Sequence, residues 1–137
     1  MTDSYAHPLA ATADAGQRHD CRGLEPTMSR VRVGRRRRPK VLIGDKGYSY
    51  RFVRRYLRGR GIRALIPRRR DQHREPGRRP WFDRERYKGR NVIERCMNKL
   101  KQFRCVATRY DKLARSYLAQ VDLAMIKLLL RELRDTA

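Results

Sequence analysis

The chain has 137 residues, which is enough for one domain with a modest hydrophobic core. It carries 36 Lys and Arg against 14 Asp and Glu, and its formal net charge is +22. This excess of positive charge indicates a polyanionic partner, with nucleic acid ahead of an anionic membrane surface.

The cysteines and the apolar segments exclude several classes of protein. Three cysteines with no CxxC spacing do not make a disulfide framework, and they favour a reducing cytosol. A zinc site built from His7, His19 and Cys21 fits no common finger spacing. The most apolar stretch, Leu118 to Leu130, is too short and too polar to span a bilayer, and the N-terminal residues do not resemble a signal peptide. We therefore expect a cytoplasmic protein without a membrane partner.

A change in composition at Lys40 predicts two regions. Residues 1–39 form an irregular basic segment with one short helix around Leu24 to Val33. This segment ends in the run Arg35 to Arg38, which is either a solvated charge cluster or a source of salt-sensitive affinity for DNA. Residues 40–137 contain the periodic segments and include a basic loop at 68–86.

The second region begins with the pattern of a βαβ unit. Val41 to Gly44 is a short apolar run that predicts a strand buried on both faces. A helix is predicted from Tyr50 to Arg58, with Ser49 as its N-cap. Ile62 to Ile66 predicts a second strand, which should lie parallel to the first with a right-handed crossover.

Asp45 directly follows the first predicted strand. Ligands of open α/β sheets collect outside the carboxyl ends of the strands, so Asp45 is a candidate site residue. Asp-Lys-Gly is also favourable turn chemistry, and a capping aspartate is the equal alternative.

The loop at 68–86 is rich in arginine and contains Pro76, Gly77 and Pro80. Trp81 and Phe82 stand out near its end. An aromatic pair just before a helix usually anchors the loop to the core, and we favour that interpretation over stacking on a nucleic-acid base.

A helix is predicted from Asp83 or Arg86 to Phe103, and it has two distinct faces. Its buried side should consist of Val92, Ile93, Cys96, Leu100 and Phe103. At about 100° per residue, one narrow stripe on the opposite side contains Tyr87, Arg90, Glu94 and Lys101. A single carboxylate framed by cations suggests a metal ion held beside phosphate groups, whereas the alternative is an ordinary solvated charged face.

A last helix is predicted from Asp111 to Leu133, after a short link at residues 106–108. Its apolar residues recur at helical spacing and indicate core or an interface. The chain contains no GxGxxG or P-loop motif.

The stripe residues Tyr87, Arg90, Glu94 and Lys101 match the pattern Y-x2-R-x3-E-x6-K at every position. With this pattern the chain resembles bacterial insertion-sequence transposases that have a DDE catalytic triad. The segment DKGY, which begins at Asp45, is similar to the segment around the second catalytic aspartate of that family. Residues 16–20 and 109–113 resemble stretches that flank these sites, so the resemblance extends from about residue 16 to residue 130.

The resemblance implies an α/β fold that is part of an RNase H-like domain. It also implies DNA transposition, with Mg²⁺-dependent phosphodiester cleavage and strand transfer at transposon ends. By this resemblance Asp45 and Glu94 are catalytic metal ligands, and Tyr87, Arg90 and Lys101 bind DNA near the transposon end. The expected partners are the transposon ends and target DNA, with another transposase chain as a further candidate.

One departure from the family limits this expectation. The family's first catalytic aspartate lies on the first strand of the sheet, upstream of everything in this chain. The upstream acids do not follow apolar strands, and none of them replaces it: Asp3, Asp14, Asp20 and Glu25. We therefore expect a truncated or partial transposase with an incomplete metal site and an exposed sheet edge. The alternatives are a non-catalytic DNA-binding fragment that regulates a full-length transposase and, last, a basic RNA-binding protein of ribosomal type.

Overall fold

The computed structural model describes residues 1–14, 19–32, 38–74, 79–108 and 111–135. These residues form an α/β structure whose elements are α1 (Leu24–Arg30), β1 (Val41–Ile43), α2 (Arg51–Gly59), β2 (Arg63–Leu65), α3 (Arg84–Lys88), α4 (Asn91–Lys101), α5 (Arg104–Thr108) and α6 (Ala114–Asp135). Single 3₁₀ turns cover Asp20–Gly23, Lys46–Tyr48 and Asp71–Arg74. Outside the described residues lie 35–37 of the arginine run, and residues 16–18 and 109–110 of the stretches that resemble the transposases.

Most of the buried apolar side chains in the described ranges gather in two clusters. The sheet cluster contains Cys21, Leu24, Met28, Leu42, Val53, Leu57, Ile62 and Ile66. The helical cluster contains Ala6, Cys96, Leu100, Val106, Val121, Ala124, Met125 and Leu128. An ion pair of 2.7 Å between Arg30 Nη2 and Asp122 Oδ2 joins α1, beside the sheet cluster, to α6.

The strands β1 and β2 form a parallel pair, which confirms the predicted strand-helix-strand unit. Val41 lies opposite Arg63, and Ile43 lies opposite Leu65. The expected burial of β1 on both faces is wrong, because Leu42 is buried whereas Ile43 is 39% exposed. Leu42 faces the sheet cluster, and the other face of this two-stranded sheet is uncovered at Ile43.

Helix α2 has no side-chain cap at its N-terminus, and backbone hydrogen bonds end it at its C-terminus. The predicted Ser49 cap is wrong: Ser49 ends the preceding 3₁₀ turn, and Tyr50 is the N-cap residue without a side-chain cap. At the other end, Gly61 has a φ of 68°. Ile62 N donates to Leu57 O at 2.9 Å and Gly61 N donates to Arg58 O at 2.9 Å, the two bonds of a Schellman motif. Glycine adopts this left-handed conformation without steric cost, so it stops the helix at the point where β2 must begin.

Residues 1–10 form an ordered turn in a segment whose sequence shows no periodicity. Leu9 N donates to Met1 O at 2.9 Å, and the Asp3 carboxylate accepts the His7 backbone N–H at 2.9 Å. Burial alone would raise the pKa of Asp3, but the hydrogen bonds from the backbone and ring of His7 hold it below its ordinary value. The turn places Ala6 in the helical cluster, with 4% of its surface exposed.

The long helix predicted up to Phe103 is interrupted. It is divided into α3 and α4 at Gly89 and Arg90, where the backbone bonds shorten to the three-residue spacing. Gly89 N donates to Arg86 O at 3.1 Å, and Arg90 N donates to Tyr87 O at 3.0 Å. A Cβ atom at position 89 would lie 3.2 Å from Arg86 O, so the tight turn favours glycine. The apolar face of α4 is as predicted, because Cys96 and Leu100 are buried.

The predicted link at residues 106–108 is also wrong, because these residues belong to α5, and Val106 is in the helical cluster. Helix α6 buries one side and exposes four large apolar residues on the other: Leu123, Ile126, Leu130 and Leu133. In the described ranges, no helix combines the length and the apolarity that crossing a membrane requires.

The aromatic pair before α3 does not enter the core, which corrects the favoured anchor interpretation. Trp81 and Phe82 are 42% and 40% exposed. The Arg63 guanidinium lies 5.3 Å from the centre of the Trp81 ring, and the Phe82 ring centre is 5.1 Å from that of Tyr87. Trp81 is therefore held by a cation–π contact with Arg63, and Phe82 by a ring–ring contact with Tyr87.

Candidate functional site

Asp45 lies just beyond the carboxyl end of β1, as predicted. Gly44 N donates to Leu65 O at 3.2 Å, so the pairing of the strands continues to the residue before Asp45. Asp45 Oδ1 accepts a hydrogen bond from Gly47 N at 2.8 Å and caps the 3₁₀ turn Lys46–Tyr48. The side chain thus has the capping role that the turn chemistry predicts, at the sheet edge where α/β proteins bind ligands.

A second acid lies close to this edge. The 3₁₀ turn Asp20–Gly23 packs against the 3₁₀ turn that follows Asp45. Burial raises the pKa of Tyr48, and the charges of Asp20 and Asp45 raise it further. The negative charges of Asp20 and Asp45 therefore both disfavour ionisation of the Tyr48 phenol. The sequence does not predict Asp20 as a site residue, because it follows no apolar strand. Its one sequence signal is its place at the end of residues 16–20, a stretch that resembles the transposases.

Glu94 is on the solvent side of α4, in the first turn of the helix. Its Oε1 accepts a hydrogen bond from Arg90 Nη2 at 2.8 Å, and its side chain is 60% exposed. Cys96 and Leu100 pack into the helical cluster on the far side. The helix therefore presents this carboxylate outward beside one guanidinium, as the amphipathic pattern predicts.

Tyr87 and Lys101, the other two residues of the predicted stripe, lie before and after the Arg90–Glu94 pair along the chain. Tyr87 belongs to α3, where its ring packs on Phe82 and is half-buried. Lys101 is the last residue of α4 and is exposed. It follows Glu94 by seven residues, so it lies on the same side about 10 Å along the helix axis. The structure thus pairs Arg90 with Glu94 and places Tyr87 and Lys101 on either side.

Asp45 and Glu94 are carried by different parts of the molecule. Asp45 borders the sheet cluster, whereas the helix of Glu94 packs on α5 and α6 in the helical cluster. Carboxylate oxygens are suitable ligands for Mg²⁺. However, the described part of the chain contains no group of three or more His, Cys, Asp or Glu side chains arranged to hold a metal ion. Asp45 and Glu94 are therefore two separate candidate ligands, one beside each cluster.

Comparison with known proteins identifies the class. A family model for the transposase DDE domain matches residues 1–128, nearly the whole chain. The chain therefore belongs to the transposase DDE domain family, as part of a bacterial insertion-sequence transposase.

A relative gives this class a more specific context. Over 121 residues the chain is 31% identical to a Burkholderia cepacia protein described as a transposase for insertion sequence element IS402. The match covers 83% of this chain and 53% of the relative, so the chain spans about half the length of that protein. No solved structure matches the chain.

Proposed function

We propose that this chain acts in DNA transposition, as part of a DDE transposase that works on the ends of an insertion sequence. The match to the transposase DDE domain over residues 1–128 carries this proposal. The position of Asp45 at the carboxyl end of β1 supports it, because this edge is the usual ligand side of an α/β sheet. The parallel β1–α2–β2 unit is consistent with part of an RNase H-like sheet.

In this proposal Asp45 and Glu94 are two of the catalytic acids. Both side chains are exposed, and both are held by one short hydrogen bond, from Gly47 N and from Arg90 respectively. Each acid therefore has a defined direction and remains accessible. Their oxygen atoms suit Mg²⁺, which proteins usually hold with one or two carboxylates together with water and phosphate oxygens. A further carboxylate, the family's first catalytic aspartate, would complete the triad.

Tyr87, Arg90 and Lys101 are the proposed DNA contacts beside Glu94. The Arg90–Glu94 pair is solvent-exposed, and such a pair contributes only about 0.2–1 kcal/mol. A DNA phosphate can therefore compete for the Arg90 guanidinium, which is well shaped for two parallel hydrogen bonds to phosphate oxygens. Release of Arg90 would leave the Glu94 carboxylate free for a metal ion.

A cleavage assay tests the enzymatic proposal. The purified full chain is incubated with duplex DNA that carries the ends of the element, with Mg²⁺ or Mn²⁺. Cutting that requires the metal and disappears in Glu94→Gln supports catalysis, and Glu85→Gln, on the neighbouring helix, is the control. If no divalent metal supports cutting, this polypeptide has no such activity, although its membership of the family stands.

A non-catalytic DNA-binding fragment that regulates a full-length transposase is the second candidate. The net charge of +22 favours it, since this charge supports DNA binding whether or not the chain is catalytic. In this case DNA binding falls steeply with added salt and survives Asp45→Asn. Expression of the chain beside an active transposase of the same element should then lower the transposition frequency, and an unchanged frequency would reject this function.

A further inference from the structure

The basic face of α2 is a charged surface that the candidate site does not use. It consists of Arg51, Arg54, Arg55 and Arg58. Their spacing places all four within about 100° of the helix circumference. On the opposite side, Val53 and Leu57 are 1% and 0% exposed, which fixes the orientation of the helix. The helix contains no acidic residue, so this face is purely cationic.

Two of the four charges of the basic face, those of Arg55 and Arg58, form no ion pair with another described residue. Elsewhere among the described residues, ion pairs of 3.6 Å or less to carboxylates involve six cations: Arg30, Arg69, Arg86, Lys88, Arg90 and Lys99. Burial lowers the pKa of Arg54, and repulsion from Arg68 lowers it further. A polyanion on this face would relieve that repulsion.

Aromatic rings extend the basic face at its N-terminal end. Phe52 is 36% exposed, and the guanidinium of Arg22 lies 5.1 Å from the centre of its ring. The Tyr50 ring centre is 5.8 Å from that of Phe52, and the Arg69 guanidinium lies 4.7 Å from the Tyr50 ring. Two guanidinium groups from other segments are therefore held beside α2 by cation–π contacts. Phe52 and the four arginines of the basic face line an open depression of about 500 Å³.

We propose that the basic face binds the phosphate backbone of duplex DNA beside the Asp45 edge. The inference rests on the proposed function, because DNA is the partner in both. Arg51 follows Asp45 by six residues, and Arg58 lies about 10 Å further along the helix axis. This length corresponds to about three base-pair steps of 3.4 Å. A duplex that lies along α2 therefore passes the carboxyl end of β1, and the guanidinium groups each offer a fork to a phosphate.

A salt titration of DNA binding tests this surface. The full chain binds a labelled 30-base-pair duplex of arbitrary sequence at several salt concentrations, and the slope of log K against log salt is measured. The double variant Arg55→Gln/Arg58→Gln should bind at least tenfold more weakly at low salt. Its slope should be shallower by about 1 to 2, since each lost phosphate contact removes about 0.9. Arg54 is kept, because its Nη2 donates to Ile66 O at 2.8 Å.

The matched control is Lys112→Gln/Arg115→Gln, which removes the same two charges from exposed positions near the start of α6. The control should retain the wild-type slope. Equal weakening in both double variants would show that net charge alone drives binding, and it would overturn the inference while DNA binding stands. If the wild-type chain binds no duplex, the DNA partner of the proposed function fails and this surface fails with it.

A third variant separates charge from folding. Arg55→Lys/Arg58→Lys keeps both cations and should keep most of the wild-type slope, because counterion release depends on charge. If this variant loses as much binding as the glutamine pair and has an unchanged melting temperature, phosphate neutralisation by these two residues is rejected.

Discussion

Arg90 donates from Nη2 to Glu94 Oε1 at 2.8 Å, one helical turn away, and this is the only hydrogen bond to the Glu94 side chain among the described residues. The pair is exposed and lies at the start of α4, since Arg90 is the N-cap residue of this helix and Glu94 lies in its first turn. Exposed pairs at this spacing contribute about 0.3–0.5 kcal/mol. The carboxylate is thus oriented by its neighbour without being required for the fold.

The first prediction follows from this weak coupling. Glu94→Gln should change the free energy of unfolding by less than about 0.5 kcal/mol, because the amide still accepts a hydrogen bond from Arg90. Urea unfolding followed by circular dichroism measures this change. Glu85→Gln, which removes an exposed pair with Lys88 at 2.9 Å, is the matched control. A loss of more than 2 kcal/mol for Glu94→Gln alone would give Glu94 a structural role and would weaken the proposal of a catalytic acid.

Two substitutions at Asp45 separate its capping role from its charge. Asp45→Asn retains an oxygen for the Gly47 N–H, so the stability should stay near that of the wild type. Asp45→Ala removes the cap of the 3₁₀ turn and should cost about 1 kcal/mol. The melting temperatures of the two variants test this order. If alanine is as stable as asparagine, the hydrogen bond to Gly47 contributes nothing and the direction of the carboxylate is set by other contacts.

Replacing Gly59 and Gly61 by alanine should change the free energy of unfolding in opposite directions, although the two residues are only two positions apart. Gly61 has a positive φ, and Gly61→Ala should destabilise the protein by about 1–2 kcal/mol because it strains the end of α2. Gly59 lies in the last turn of α2, and an added Cβ there would meet nothing within 4 Å. Gly59→Ala should therefore stabilise by as much as about 1 kcal/mol. Chemical denaturation of both variants checks the sign, and equal effects would contradict the helix stop described above.

The sequence predicted the parts of the fold that depend on local pattern. β1, α2 and β2 were found because short apolar runs and a helical stripe are separated by glycines. The break at Gly89 was missed because the apolar spacing continues across it, whereas the break depends on backbone bonds to Arg86 and Tyr87. The turn at residues 1–10 was missed because the segment has no apolar periodicity, and the burial of Ala6 depends on helices distant in the sequence.

For the candidate site too, the sequence predicts the features that depend on local pattern and not those that depend on long-range packing. The position of Asp45 follows from the strand before it, and the Arg90–Glu94 pair follows from helical spacing. Asp20 beside Tyr48 was not predictable, because two turns about 26 residues apart must pack together. The placement of Asp45 relative to Glu94 depends on how the sheet cluster meets the helical cluster, which no local spacing encodes.

Cysteine reactivity tests how the helical cluster is packed. Cys105 is exposed on α5, whereas Cys21 and Cys96 are 3% and 1% exposed. Burial raises the pKa of the Cys96 thiol, so its reactive thiolate is disfavoured in the folded protein. A thiol reagent at pH 8 should modify one cysteine rapidly in the native chain and all three in denaturant. Cys105→Ser should remove the rapid reaction, and a second rapid site would mean that one of the clusters opens.

The same thiol predicts a dependence of stability on alkaline pH. The pKa of Cys96 is higher in the folded protein than in the unfolded chain, where it is about 8.5. The contribution of the protonated thiol to the free energy of unfolding is therefore complete at pH values below the unfolded pKa, and it is lost as the pH rises through the folded pKa. Above that unfolded value, thiolate formation favours the unfolded chain, and the free energy of unfolding should decrease. Cys96→Ala lowers stability at every pH by leaving a small cavity, but it should flatten this alkaline decrease relative to the wild type. Denaturation curves between pH 7 and pH 10 measure both effects, and parallel pH profiles would show that another group causes the decrease.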